Sequence, residues 1–188
     1  MSKKIALFAS GSGSNAQNII EYFKGSVVFS FPLILSNKAD AFVHQRAENL
    51  GVPSFTFSKD SFINGDAVLK ILTDYEIDYI VLAGFLLRIP DVLVQKYADK
   101  IINIHPSLLP KYGGKGMYGD KVHQAVKDAG DSESGITIHY INEHYDEGNI
   151  IVQYKCEISK DDTAESIAAK VHELEYVYYP KVIDQIWG

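Results

Sequence analysis

An asparagine and a histidine, Asn103 and His105, stand two positions apart where an apolar run gives way to a proline. Alternate residues of a strand point to the same side, so this spacing predicts that both side chains lie together at a strand end. Pro106 has no N–H to donate and ends the ladder. An amide can donate to a developing oxyanion and an imidazole can also move a proton, so the pair fits chemistry on a carbonyl. A capped strand end followed by a turn fits the same residues equally well.

A loop of small residues follows the first apolar run and reads Ser-Gly-Ser-Gly-Ser-Asn-Ala at 10–16. Small residues let the backbone approach a ligand, and the next helix offers free N–H groups to an anion. The loop matches the relaxed dinucleotide fingerprint, but the second strand has no acid at its tip to hold a ribose. We therefore expect a phosphomonoester at Gly13, Ser14 and Asn15, within a substrate loop that also includes Gly11 and Ser12. The alternative is a tight turn with a helix cap.

Two further segments carry groups suited to a ligand. Residues 79–90 run from a strand into a glycine and an apolar loop, which is typical either of a pocket wall or of a packed connection.

Asp146 follows His139 and His144 in a loop and could orient or charge a histidine. The rival interpretation is a metal site built from these histidines or His105 with Asp146, which is disfavoured because no third ligand is spaced for zinc. We expect His144 itself to be an exposed loop residue, and we expect the same of the remaining histidines, His44, His123 and His172.

Apolar runs alternate with amphipathic segments through the first half of the chain, which predicts βαβ units and a parallel sheet covered on both faces. The expected strands lie at 5–9, 27–35, 54–57, 79–83 and 101–104, and the expected helices near 15–24, 41–50, 67–75 and 91–97.

The second half has a different pattern. Residues 135–141 and 149–158 are strand candidates separated by a glycine-containing segment, which indicates antiparallel additions to the sheet. A long helical pattern starts at Thr163, with Pro180 as an expected kink and Thr163-x-x-Ser166 as an incomplete capping box. The predicted fold is therefore α/β: a three-layer, Rossmann-like, mostly parallel sheet with antiparallel additions in the C-terminal half and a long C-terminal helix.

The composition limits the class of protein. The 188 residues suit one domain, and the net charge of -6 argues against a protein that binds nucleic-acid backbones. A single cysteine, Cys156, excludes a disulfide within the chain and argues against a cysteine zinc site. The apolar run near the N-terminus is too short for a signal segment or a membrane span. We expect a cytoplasmic protein with no membrane partner, either a monomer or a homodimer.

Taken in order, these motifs resemble the formyltransferases that use 10-formyltetrahydrofolate. The resemblance covers nearly the whole chain, and the sequence Asn-Ile-His-Pro-Ser-Leu-Leu-Pro at 103–110 is its most specific part. Further matching segments lie at 10–15, 36–42, 82–85 and 135–148. The resemblance implies transfer of the formyl group of 10-formyltetrahydrofolate, a co-substrate, to the amine of 5-phosphoribosylglycinamide in de novo purine synthesis. It implies direct attack by the amine and no metal.

The resemblance also implies roles for individual residues. Asn103, His105 and Asp146 match the catalytic trio, which requires Asp146 to fold back to His105, directly or through one water. Glu175 joins the residues of the 11–15 loop in binding the ribonucleotide. The implied folate-binding residues are Phe85, Leu86, Leu87, Arg88, Ile89, Asn103, Asn142, Glu143 and Asp146. We expect a single domain, 1–188, with a phosphate-binding half at 1–100 and a catalytic and folate-binding half at 101–188.

Some features depart from the family pattern. The glycine-rich segment 112–123 is longer than expected and is predicted to be a loop that closes over substrate. Segment 58–66 has no arginine to meet the folate's glutamate tail, so either Lys59 substitutes or the tail is solvated. Glu147 stands where relatives often have glycine.

Two other activities and one binding role compete with formyl transfer. A formyltetrahydrofolate hydrolase is expected to carry an extra N-terminal domain, and a methionyl-tRNA formyltransferase a C-terminal RNA-binding domain. Because the first expected strand starts at Ile5 and the sequence ends at Gly188, we expect neither of these extra domains. A non-catalytic nucleotide-binding domain is the alternative from a different class.

Overall fold

The fold is built on one mixed sheet, seen in a computed structural model that describes residues 2–188. Within these residues the sheet has seven strands: β1 (Lys3–Phe8), β2 (Phe29–Ser36), β3 (Ser54–Thr56), β4 (Tyr79–Leu82), β5 (Ile101–His105), β6 (Glu133–Tyr140) and β7 (Ile150–Glu157). Their order is β3-β2-β1-β4-β5-β6-β7. The first five strands pair in parallel, whereas β6 and β7 are antiparallel additions. The strand order reverses between β1 and β4, as in Rossmann folds.

Helices cover both faces of this sheet: α1 (Ser14–Tyr22), α2 (Val43–Leu50), α3 (Lys59–Ile63), α4 (Asp66–Asp74), α5 (Asp91–Lys96), α6 (Asp120–Ala129) and α7 (Ala164–Trp187). The alternation of β1 side chains separates two cores. Ile5 and Leu7 pack in a cluster with residues of α1, α2, α6 and α7, while Ala6 and Phe8 pack in a cluster with residues of α3, α4 and α5. The predicted three-layer architecture with a long C-terminal helix is confirmed. Within residues 2–188, none of the helices combines the length and apolar character that a membrane crossing needs.

Two helices, α3 and α6, were not predicted. The segment expected to be a loop at 112–123 ends at Gly119, because α6 begins at Asp120. Only Val122, His123 and Val126 of α6 are buried, so its apolar stripe is narrow and directly follows glycine-rich residues. The helix is stabilised by its packing against α7, and this stabilisation cannot be read from so short an apolar pattern.

The start of α7 is a complete capping box, so the prediction of an incomplete one was wrong. The Thr163 hydroxyl accepts from the Ser166 N–H at 3.2 Å, and the Ser166 hydroxyl accepts from the Thr163 N–H at 2.9 Å. Serine therefore does here what glutamate or glutamine does in the common form of this motif. The helix then continues through Pro180 to Trp187.

Removing this cap is expected to destabilise the protein. The Thr163→Ala variant should lose about 0.5–2 kcal/mol of unfolding free energy, because an N–H in the first turn of α7 loses its partner. Urea titration followed by circular dichroism measures the loss. Thr73→Ala makes the same chemical change at an exposed position inside α4 and should have no comparable cost. Equal midpoints for Thr163→Ala and the wild type would contradict the assigned cap.

Candidate active site

A cavity of about 860 Å³ opens at the carboxyl ends of β1, β4 and β5. Open α/β sheets bind ligands where the strand order reverses, which here is the gap between β1 and β4. The 11–15 loop forms one part of the wall, and Asn103, His105, Asp146 and Glu175 form others. The fold therefore brings the predicted substrate loop and the predicted catalytic residues to one cavity.

The 11–15 loop is shaped to leave backbone amides free. Gly13 caps α1 with φ +71°, and a Cβ on it would lie 2.4 Å from Val43 Cγ2. Only glycine meets both conditions without strain. The cap residue Gly13 has no side chain, and the Ser14 N–H makes only a long 3.5 Å bond to the Ser12 hydroxyl, so among residues 2–188 little competes with an anion for the first N–H groups of α1.

Glu175 links the loop to α7. The Asn15 amide Nδ2 donates to Glu175 Oε2 at 2.8 Å, and His172 Nδ1 lies 2.8 Å from the same oxygen. His172 Nε2 lies 3.4 Å from the Ser14 hydroxyl. The hydrogen bond to Glu175 raises the pKa of His172, which favours a cationic imidazole beside the loop. Asn15 Oδ1 is shielded from solvent and has no hydrogen-bond partner among residues 2–188, so the Asn15 amide contributes to the loop through its bond to Glu175.

The Asn103 amide is held by a second histidine, the fully buried His139. Asn103 pairs with His139 across β5 and β6, and Asn103 Nδ2 lies 3.2 Å from His139 Nε2. His139 Nδ1 lies 2.9 Å from the Tyr140 carbonyl oxygen, which can only accept, so Nδ1 carries the proton. Burial lowers the pKa of His139 and keeps the ring neutral. His139 Nε2 thus accepts one hydrogen of the Asn103 amide and leaves the other for a ligand.

His105 is 4% exposed and has one ring nitrogen committed to the backbone. Its Nε2 donates to the Tyr112 carbonyl at 2.8 Å, so Nδ1 is the nitrogen free for proton exchange. Nδ1 lies 3.6 Å from Asp146 Oδ2, which is within ion-pair range and longer than a direct hydrogen bond. The same carboxylate oxygen accepts the Gly114 N–H at 2.9 Å, while Asp146 Oδ1 lies 3.8 Å from His139 Nε2.

The predicted folate-binding residues divide into two groups. Phe85, Leu86, Asn103 and Asp146 line the cavity, together with Tyr145. Five others are not in its wall: Leu87, Arg88, Ile89, Asn142 and Glu143. Arg88 Nε donates to the Glu143 carbonyl at 2.9 Å, so these two segments contact each other beside the cavity.

Several wall residues were not identified from the sequence. His123 and His172 line the cavity, as do Met117 and Tyr118 of the glycine-rich segment. Lys59, which the sequence offered for the folate tail, also lies in the wall. The prediction that His123 is an exposed loop residue was wrong, since it lies buried on α6. The same prediction misplaced two other histidines, because His44 lies on α2 and His172 on α7, whereas His144 is exposed in a loop. The spacing of Val122 and Val126 is the signal that could have revealed α6. Within residues 2–188, no three His, Cys, Asp or Glu residues are grouped to hold a metal ion.

The buried neutral His139 predicts a pH effect on stability. Its pKa lies below the ordinary value of 6.5, so the unfolded chain binds more protons as the pH falls through 6.5. The free energy of unfolding should therefore fall between pH 7 and pH 5.5, by up to about 1.4 kcal/mol per pH unit from this one group. The loss is absent above pH 7. In His139→Gln the fall should be smaller, as measured by urea unfolding at both pH values. His123 and His172 also titrate here but are present in both proteins, so equal slopes for the two would refute a neutral His139.

Comparison with known proteins gives a consistent match. The family described as Formyl transferase matches residues 3–183. The chain is 43% identical to phosphoribosylglycinamide formyltransferase of Bacillus subtilis (strain 168), covering 99% of this chain and 95% of the relative. It is 40% identical to the chloroplastic phosphoribosylglycinamide formyltransferase of Arabidopsis thaliana, covering 98% of this chain but only 65% of that protein.

Among solved structures, glycinamide ribonucleotide transformylase 1 from Geobacillus kaustophilus superposes with a TM-score of 0.90. The sequences are 34% identical, and the match covers 100% of both chains. Sequence and structure similarity therefore extend over the sheet, both helical layers and the cavity.

Proposed function

Because the chain belongs to the formyl transferase family, we propose that it transfers the formyl group of 10-formyltetrahydrofolate to the amine of 5-phosphoribosylglycinamide, a step of purine synthesis. One observation carries this proposal: a loop suited to phosphate and a cluster of Asn103, His105 and Asp146 share one cavity. The loop accounts for a phosphorylated substrate, and the cluster accounts for chemistry on a carbonyl.

The ribonucleotide would occupy the end of the cavity formed by the 11–15 loop. Free N–H groups of the loop and of α1 would bind the phosphate, and His172, whose pKa is raised by its hydrogen bond to Glu175, lies beside them with Nε2 3.4 Å from the Ser14 hydroxyl. Glu175, held by the Asn15 amide, accepts hydrogen bonds from sugar hydroxyls. In this proposal residues 1–100 bind the phosphate and residues 101–188 supply the reacting groups, with Glu175 reaching back across the division.

The folate would occupy the other end. Phe85, Leu86 and Tyr145 provide an apolar and aromatic wall for a flat ring, and Leu86 is 40% exposed. Lys59 and Lys115 are exposed lysines of the cavity wall, and Lys59 would meet a carboxylate of the folate tail. Residues 87–89, 142 and 143 support these segments from outside the wall, with Arg88 joining them through the Glu143 carbonyl.

The reaction proposed is direct attack of the amine nitrogen on the formyl carbon. As the new C–N bond forms, the formyl oxygen gains negative charge. The free hydrogen of the Asn103 amide and a proton on His105 Nδ1 stabilise this oxyanion. The Asp146 carboxylate lies 3.6 Å from His105 Nδ1 and faces the nitrogen that holds this proton.

Proton transfer completes the proposed reaction. The attacking amine must lose a proton, and N10 of the folate must gain one as its bond to the formyl carbon breaks. Asp146 and His105 are the groups placed to exchange it, directly or through one water. The Gly114 N–H and His139 hold Asp146 and Asn103 in position for this step.

The test is a single assay with 10-formyltetrahydrofolate, run with and without 5-phosphoribosylglycinamide. Formyl transfer predicts release of tetrahydrofolate only when the amine is present, with one formylated product per folate released. Release without the amine would instead support a hydrolase, and no release in either case would support a non-catalytic nucleotide-binding domain. A cytoplasmic location and a monomeric or homodimeric state stay predictions.

A further inference from the structure

His123 is a buried histidine of the cavity wall that the proposed mechanism does not use. It lies on α6, is 6% exposed, and lines the same cavity as His105 and Glu175. Because α6 packs on α7, the buried residues of α6, which include His123, are held in place.

The hydrogen bonding of His123 is incomplete. Nδ1 is shielded from solvent and has no partner within residues 2–188, and no hydrogen bond joins the ring to any described residue. Nε2 is not among the shielded atoms, so it is the polar atom of the ring that remains accessible at the cavity. A buried imidazole without partners is unfavourable unless a ligand supplies one.

The surroundings of His123 indicate which part of a ligand it meets. Glu175, Asp120, His172 and His105 are the charged or titratable groups that act on it. Glu175 and His172 belong to the end with the phosphate loop, and His105 belongs to the reacting centre. In phosphoribosylglycinamide the sugar lies between phosphate and amine, so its place is between these two sets of residues. Burial lowers the pKa of His123, and a neutral ring suits a hydroxyl better than a phosphate.

We infer that His123 binds the sugar of the ribonucleotide through a hydrogen bond between Nε2 and a ribose hydroxyl, an assignment that rests on the proposed function. His123 is then a substrate-binding residue supplied by α6 to the cavity that Asn15 and Glu175 also line.

Two variants separate binding from packing. In His123→Gln the terminal amide is three bonds from Cβ, like Nε2, whereas in His123→Asn it is two bonds from Cβ, like Nδ1. The Gln variant should therefore bind the ribonucleotide within a fewfold of wild type, and the Asn variant about tenfold or more weakly, which is the scale of one lost hydrogen bond. Gln124→Ala changes the exposed neighbour on the same helix and serves as the control.

Calorimetric titration with 5-phosphoribosylglycinamide alone measures binding, and KM for 10-formyltetrahydrofolate is measured separately. The inference expects weaker ribonucleotide binding in His123→Asn with an unchanged folate KM and a similar melting temperature in both variants. Wild-type binding by both variants, a change confined to the folate KM, or equal loss in Gln and Asn would overturn it. A wild-type protein that binds no ribonucleotide overturns the proposed function and this inference together, whereas normal wild-type activity with unaffected variants overturns the inference alone.

Discussion

Replacing His105 by alanine is expected to lower kcat by about 10²–10⁴-fold, the range for loss of a general acid–base group. Nε2 is bound to the Tyr112 carbonyl, so the variant loses the one ring nitrogen, Nδ1, that can exchange a proton beside Asp146. Steady-state assay of formyl transfer measures the change. KM for both substrates should change little, because the proton matters most in the transition state.

Added imidazole provides the control for His105→Ala. His105 is buried, so its removal leaves a space that a free imidazole can enter from the cavity. Partial recovery of turnover with imidazole would assign the loss to proton chemistry rather than to damage to the loop. His44→Ala removes a histidine on α2 that is outside the cavity wall, and it should keep near wild-type turnover. Full activity of a folded His105→Ala protein would refute the proposed mechanism.

Asn103→Ala is expected to lower kcat by about 10²–10³-fold, as does loss of one oxyanion donor in other acyl-transfer enzymes. The amide is oriented by neutral His139, which accepts one hydrogen and leaves the second free, and in the proposed mechanism this second hydrogen meets the formyl oxygen. The loss should appear in kcat and kcat/KM alike, because this bond strengthens only as negative charge develops.

An isosteric variant sharpens the Asn103 test. Asn103→Asp keeps the shape but replaces a donor by a carboxylate, and it should be at least as damaging as alanine, since a negative charge repels an oxyanion. Asn49→Ala on the exposed surface of α2 is the matched control. If the folded Asn103→Ala protein turns over at nearly the wild-type rate, then Asn103 is not the oxyanion donor.

Much of the fold follows from local sequence patterns. The parallel strands are short apolar runs because both their faces are buried. The helices between them bury only one side and are therefore amphipathic, so the spacing of apolar residues distinguishes strands from helices. Pairing of β6 with β5 was predicted only as an antiparallel addition, and its register, which places His139 against Asn103, depends on contacts between residues far apart in sequence. The narrow apolar stripe of α6 is another case, since packing on α7 completes it.

The candidate site divides in the same way. The residue types in the sequence alone indicated three features: a glycine loop suited to an anion, an amide and an imidazole at a strand end, and an acid near a glycine. Each of these features can be recognised locally because it depends only on residues that are neighbours in the chain. Only the tertiary structure decided that His123 and His172 line the cavity and that residues 87–89 do not. It alone decided that Asp146 lies between two imidazoles and that the Gly114 amide holds it. These relations join separate elements, and the distance between two such side chains is set by the packing of the whole sheet and its helices rather than by any local pattern.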